Sequence, residues 1–162
     1  MEVWIADAES SVHPTPYPTV ASTSKVTASG EQAAANGVKD PRVVADLEPP
    51  TSSADSASEY NWAPHKGTQE WIEYDFAHPT QVSQAAVFWF AEKEGGVKLP
   101  ASWRVLYRDG DEWKPVTANN EYGLALDQFN TVHFAPVTTG ALRLEVQLQP
   151  ASSAGVEEWV VQ

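Results

Sequence analysis

Gln69-Glu70-Trp71-Ile72-Glu73-Tyr74-Asp75-Phe76 repeats with a period of two. Ile72, Tyr74 and Phe76 fall on one face and Trp71, Glu73 and Asp75 on the other, the pattern of a half-buried strand. The same period returns downstream. Trp103, Val105 and Tyr107 alternate with Arg104 and Arg108, although Leu106 interrupts the polar side. Leu142, Leu144, Val146 and Leu148 alternate with Arg143, Glu145 and Gln147. In Ala85 to Phe90, Val87 and Trp89 share a face with Phe88 and Phe90 opposite, so one pair is core and the other is covered or exposed. Asp109-Gly110 is a turn pair, because both residues tolerate positive φ. Short strands separated by turn signals, with no long amphipathic helix, predict an all-β fold, an antiparallel β-sandwich.

Upstream, Lys25 to Ser29 suits a first strand ended by Gly30. Residues 31 to 66 are loop-rich: Gly37, Pro41, Pro49, Pro50 and a Ser/Asp cluster at 52 to 58 break any period. A stretch that long within one domain is functional or tied to something. Residues 10 to 20 carry Pro14, Pro16 and Pro18 and read as an extended linker. The expected organisation is therefore an N-terminal extension and proline-rich linker over 1–20 and one sandwich domain over 21–162. Glu2 to Glu9 is a remnant of a preceding domain or an added edge strand. Met1 leads into Glu2-Val3-Trp4-Ile5-Ala6-Asp7, without the basic start and apolar run of a signal peptide, so it reads as an expression start on a fragment of a longer protein.

The 162 residues can build a single core unaided, and no cysteine is present to cross-link it or to act as a nucleophile. The net charge of −12, with scattered Lys and Arg, argues against nucleic acid and anionic membranes as partners. No stretch approaches the ~20 apolar residues of a membrane-spanning helix. H-E-x-x-H, G-x-S-x-G and phosphate-cradling glycine loops are all missing. A pair of carboxyls facing each other across a cleft, as glycoside hydrolysis needs, has no obvious place on a small sandwich. The expectation is a non-catalytic domain with no catalytic residues.

One tryptophan stands apart. Trp62 lies in Tyr60-Asn61-Trp62-Ala63-Pro64-His65-Lys66-Gly67-Thr68, among polar and turn-forming residues that favour exposure. An exposed indole offers a face on which a sugar's C–H groups stack, and Asn61, His65, Lys66 and Glu70 would bind hydroxyls. The alternative is that Trp62 folds back as a lid on the core.

The order of blocks resembles the discoidin-like family, which includes coagulation factor C-type domains and family 32 carbohydrate-binding modules. The blocks that carry the resemblance are Gln69 to Phe76, Val82 to Phe90, Ser102 to Trp113, Ala141 to Leu148 and Val156 to Val161, together spanning roughly 21 to 162. The resemblance implies a jelly-roll, galactose-binding-like sandwich with Trp71, Trp103, Trp113 and Trp159 packed in or against the core. It places the loop after Phe90 near the ligand end, adding Phe90, Glu92 and Lys93 as candidates. It also implies a calcium ion. Val44-Ala45-Asp46-Leu47-Glu48-Pro49-Pro50-Thr51 is similar to the family's turn, with Leu47 where the family has glycine, so Asp46, Thr51 and Glu158 are the expected metal residues. Calcium favours six to eight hard oxygens, which carboxylates and loop carbonyls supply. Trp62 to Trp71 and Pro100 to Arg108 resemble accessory domains of bacterial polysaccharide-degrading enzymes related to glycoside hydrolase family 127. The implied role is a secreted, periplasmic or cell-surface carbohydrate-binding module, with a poly- or oligosaccharide, arabinose- or galactose-containing, and the parent catalytic domain as partners. The competing role is a structural accessory domain packed on its parent glycosidase. A phospholipid-binding role, as in the coagulation factors, conflicts with the charge and lacks apolar spikes flanked by Lys or Arg.

Overall fold

The computed structural model describes residues 19–30, 40–45, 50–56 and 59–162. The linker and extension before Thr19 lie outside the described residues. The elements, in order, are β1 (Lys25–Ala28), a short 3₁₀ turn (Pro41–Ala45), β2 (Tyr60–Asn61), β3 (Gln69–Phe90), β4 (Ser102–Asp109), β5 (Glu112–Pro115), β6 (Phe129–Gln147) and β7 (Gly155–Val161). All strand-to-strand ladders are antiparallel. The hydrogen-bonded order is β2-β7-β3-β6-β4-β5, with β1 on the other side of β3.

β3 and β6 are the spine. They pair from Gln69↔Gln147 to Phe88↔Phe129, with register shifts between Asp75 and Thr80 and again between Val82 and Gln84. At the first shift, Phe76 to Pro79 stand against Gly140 alone, and Pro79 has no amide hydrogen to give the ladder. Both strands bend there. Their Gln69 and Gln147 halves join β1, β4 and β5 in a five-stranded layer, and their other halves join β7 and β2 in a second layer. The sequence pattern predicts two separate strands across 69–90; the chain forms one bent strand instead. The first half of β6, 129–139, is a strand that no clean alternation in the sequence predicts.

The inner faces meet on aromatic rings. Tyr74 stacks on Trp159 at 4.0 Å and 21°, and its hydroxyl donates to the Trp159 carbonyl at 2.7 Å. Trp89 meets Trp103 edge-on at 5.6 Å. One carbonyl, Gly123 O, accepts both indole N–H groups, from Trp103 at 2.8 Å and from Trp89 at 3.4 Å. Val87 and Trp89 are thus the core pair, while Phe88 packs on the far side against Phe129 at 5.4 Å. Trp103 and Trp159 are core residues as expected. Trp71 and Trp113 are not: they are half-buried on the outer face of the five-stranded layer, because each sits at the outward parity of its strand. No helix among the described residues is long and apolar enough to cross a membrane.

Candidate functional site

Three connections gather at one end of the sandwich: 62–68, 91–101 and 148–154. They are laced by main-chain bonds, Trp62 N–H to Ala154 O at 3.1 Å, Gly67 N–H to Gln149 O at 2.8 Å and Lys98 N–H to Ser153 O at 3.0 Å. The Gln149 side-chain amide adds a bond to Leu99 O at 2.7 Å.

Trp62 is 0% exposed, so the expected solvent-facing platform is absent there. Tyr60 meets the indole edge-on at 5.7 Å. Gly30 lies so close that a Cβ on it would come within 3.1 Å of the Trp62 ring. The loop is polar because its other residues face water, while its indole turns inward and closes the end of the core. The lid alternative is the one realised. Phe90 is likewise buried, against Gly155, where a Cβ would meet the Phe90 ring at 2.9 Å.

Glu70 also departs from its expected role. It shares the inward parity of Ile72 and Tyr74 and is 5% exposed. Its Oε1 accepts from Ser29 Oγ at 2.7 Å, and its Oε2 accepts from Thr68 Oγ1 and lies 2.8 Å from His65 Nδ1. Because the carboxylate only accepts, the His65 Nδ1–H donates to it, and the rest of the ring is partly exposed. Burial raises the Glu70 pKa, but the bonds from Thr68, Ser29 and His65 outweigh it and hold the carboxyl below its ordinary value. Ser29 relays the network onward: its Oγ accepts the Trp71 N–H at 2.8 Å and its carbonyl takes the Tyr60 hydroxyl at 2.9 Å. Glu70 therefore holds the loop rather than a ligand.

The remaining candidates divide. Asn61 spends its side chain locally, on Glu59 Oε1 at 2.8 Å and the Ala63 N–H at 3.1 Å. Glu92 closes its own loop, accepting the Val97 N–H at 3.0 Å. Lys66 and Lys93 are exposed and His65 is partly so. Among the described residues, the loop end thus presents hydrogen-bonding groups without an exposed aromatic ring.

On β7 the register slips between Phe88↔Glu158 and Trp89↔Val156, leaving Glu157 as the extra residue of a bulge. Val156 and Trp159 face the core, so the two carboxylates between them lie outside it, yet Glu157 is 4% and Glu158 1% exposed. Glu157 Oε2 has no hydrogen-bond donor among the described residues. Burial, then the charges of Asp55, Glu59 and Asp127, push the Glu157 carboxyl up to about 8. Asp46 falls outside the described residues, and Thr51 is exposed. Among the described residues no three His, Asp or Glu side chains converge closely enough to hold a metal. Glu157, with its orphaned Oε2, stands beside the buried Glu158, and an oxygen so placed is chemically suited to a hard cation.

Sequence reasoning left one cluster unassigned, on the outer face of the five-stranded layer. The Arg143 guanidinium carbon lies 4.3 Å from the Trp71 ring centroid and 4.3 Å from that of Trp113. A cleft of about 170 Å³ opens beside it, lined by Gln69, Ser102, Trp103, Arg104, Glu145 and Gln147. The signal was present, since Trp71 already shares the outward face with Glu73 and Asp75.

The family model of the F5/8 type C domain matches residues 21–159. The chain belongs to that family. Solved structures share its fold. Chitosan-binding module 1 from a chitosanase/glucanase of Paenibacillus sp. IK-5 is 15% identical with a TM-score of 0.62, over 90% of this chain and 99% of that one. The family 32 module of Clostridium perfringens NanJ, solved with galactose, is 14% identical with a TM-score of 0.63, over 88% and 95%. A chain of the Streptococcus pneumoniae β-galactosidase BgaA is 15% identical with a TM-score of 0.67, over 86% and 90%.

In this F5/8 type C domain the loop end depends on an ionised Glu70. A carboxyl with a lowered folded pKa adds stability that is complete above its unfolded pKa and is lost as pH falls through its folded value. Glu70→Gln should cost on the order of 2 kcal/mol near neutral pH, as loss of charged hydrogen bonds does. The gap between wild type and variant should close below about pH 4, once the ordinary Glu pKa of ~4.3 is passed. Denaturant titrations across pH 3 to 8 check this.

Proposed function

We propose that this domain is a non-catalytic carbohydrate-binding module. The observation that carries the reading is its family membership together with a fold shared with modules that bind galactose and chitosan. The parent we infer is a secreted, periplasmic or cell-surface bacterial enzyme acting on polysaccharide, related to glycoside hydrolase family 127. Two of the similar folds come from glycan-cleaving enzymes, a chitosanase/glucanase and a β-galactosidase, which supports that parentage. The ligand class is a poly- or oligosaccharide, arabinose- or galactose-containing. At the loop end, His65, Lys66 and Lys93 offer hydroxyl contacts, with Asn61 and Glu92 holding the loops that present them.

A second reading is favoured by one feature. Trp62 and Phe90, the aromatic candidates for stacking, are both buried. A domain that packs on its parent enzyme and binds no sugar needs neither ring exposed. A glycan array followed by calorimetry separates the two. The module reading expects a hit with a dissociation constant on the order of 0.1–1 mM, since few ligand atoms are engaged. His65→Ala with Lys66→Ala should weaken it about three- to ten-fold, because exchanged hydroxyl contacts contribute about 1 kcal/mol each. An array without hits leaves the structural role.

Calcium forms part of the same proposal. Asp46, Glu158 and oxygens of the 46–51 turn, Thr51 included, would hold the ion, with Glu157 beside them. Bound there, a divalent cation would place positive charge beside the Glu157 oxygen that has no donor among the described residues. Only the folded turn presents these ligands, so excess calcium should raise the melting temperature and chelator lower it. Asp46→Ala should abolish the difference. Melting curves that ignore both additives, with no ion retained after dialysis, would remove calcium from the account.

A further inference from the structure

The outer face of the five-stranded layer is a flat lattice whose rows follow from the register. Gln69, Gln147 and Ser102 form one row; Trp71, Glu145 and Arg104 the next; Glu73, Arg143 and Leu106 a third. Asp75, Ala141, Arg108 and Trp113 complete it, with Trp113 opposite Arg108 on the edge strand β5. Three of the four arginines in the chain, Arg104, Arg108 and Arg143, stand on this one face.

Each of the three has its own carboxylate. Arg104 pairs with Glu145, Arg108 with Asp75 at 3.2 Å and Arg143 with Glu73 at 2.7 Å. The charges cancel within the face, although the chain carries −12 overall. A polyanion finds no net positive field here, and an apolar partner finds a lattice of charges it would have to desolvate. A neutral, hydroxyl-rich ligand suits the face, because each hydroxyl both donates and accepts and the lattice presents guanidinium, carboxylate and amide groups side by side. The Arg143 Nε–H is buried without an acceptor among the described residues. The two indoles flanking that guanidinium are in cation–π contact with it and remain half-exposed.

The cleft fixes the size of the ligand. At about 170 Å³ it is smaller than the ~300–1,000 Å³ of pockets that engulf a drug-sized molecule, so it takes a single ring. From its Gln147 end to the row of Trp113 is six residues of β6, about 20 Å at ~3.4 Å per residue. A monosaccharide cannot span that distance.

We infer that the Trp71–Arg143–Trp113 face with its polar cleft is a binding surface for a neutral oligosaccharide, running from Gln69 and Ser102 to Trp113 and separate from the loop end. The inference rests on the carbohydrate-binding reading and adds to it the site and the charge class of the glycan.

Indole and guanidinium N–H signals in ¹H–¹⁵N spectra test it by location. The probes are the tetrasaccharides of β-1,4-galactan, α-1,5-arabinan and chitin at millimolar concentration. At least one should shift the Trp71 and Trp113 indole and Arg143 Nε–H signals saturably, and Trp113→Ala should raise its dissociation constant at least five-fold with an unchanged amide spectrum elsewhere. Shifts confined to residues 62–68 and 91–101 would overturn this surface and leave the module reading standing. No shift with any probe would overturn both. Trp113 signals that broaden with protein concentration in the absence of sugar would assign the face to a second copy of the chain and overturn the glycan.

Discussion

The pairing of β3 with β6 constrains everything else in the molecule. It runs the length of both strands and passes through a bend, so one register assigns inside and outside in both layers at once. Slipping it by a residue would send Ile72, Tyr74, Leu142 and Leu144 to solvent and bring Glu73 and Arg143 into the core. The bend at Pro79 and Gly140 is what lets that single ladder close a two-layer core around Tyr74, Trp159, Trp89 and Trp103.

The ends and faces then acquire different chemistry. At the loop end a buried carboxylate, Glu70, collects Ser29, Thr68 and His65 and ties β1 to the loop over Trp62. The Glu70 charge is matched by these donors, and the result is a closed end. On β7 the bulge does the opposite. It drives Glu157 and Glu158 into a protein interior that supplies Glu157 with repulsion from Asp55, Glu59 and Asp127. A carboxylate in that position is tolerable when protonated or when a cation sits beside it. The outer face of the five-stranded layer is a third case, with charges balanced pair by pair and two indoles flanking one guanidinium.

The sequence made the fold legible because strand parity is local. Ile72/Tyr74/Phe76 and Leu142/Leu144/Val146/Leu148 declare their inward faces without knowledge of partners, and Asp109-Gly110 marks the β4–β5 hairpin, where Gly110 has φ +67. The bend was hidden, since His78-Pro79 looks like a strand end and only the distant Gly140 makes it a corner. The candidate site was less legible for a related reason. Trp62 and Glu70 stand among polar neighbours, and what buries them is Gly30 and Ser29, about thirty and forty residues away in sequence. Conversely Trp71 and Trp113 look like core residues by type. Their outward parity was readable, but the Arg143 bridge between them needs the register of four strands.

The central claim is this sorting of tryptophans by parity, and hydroxyl-radical footprinting read by mass spectrometry tests it most directly. Oxidation should accumulate at Trp71 and Trp113, while Trp62, Trp89, Trp103 and Trp159 stay protected until the domain unfolds. Rapid oxidation of Trp62 in the native protein, with Trp71 and Trp113 protected, would contradict the account.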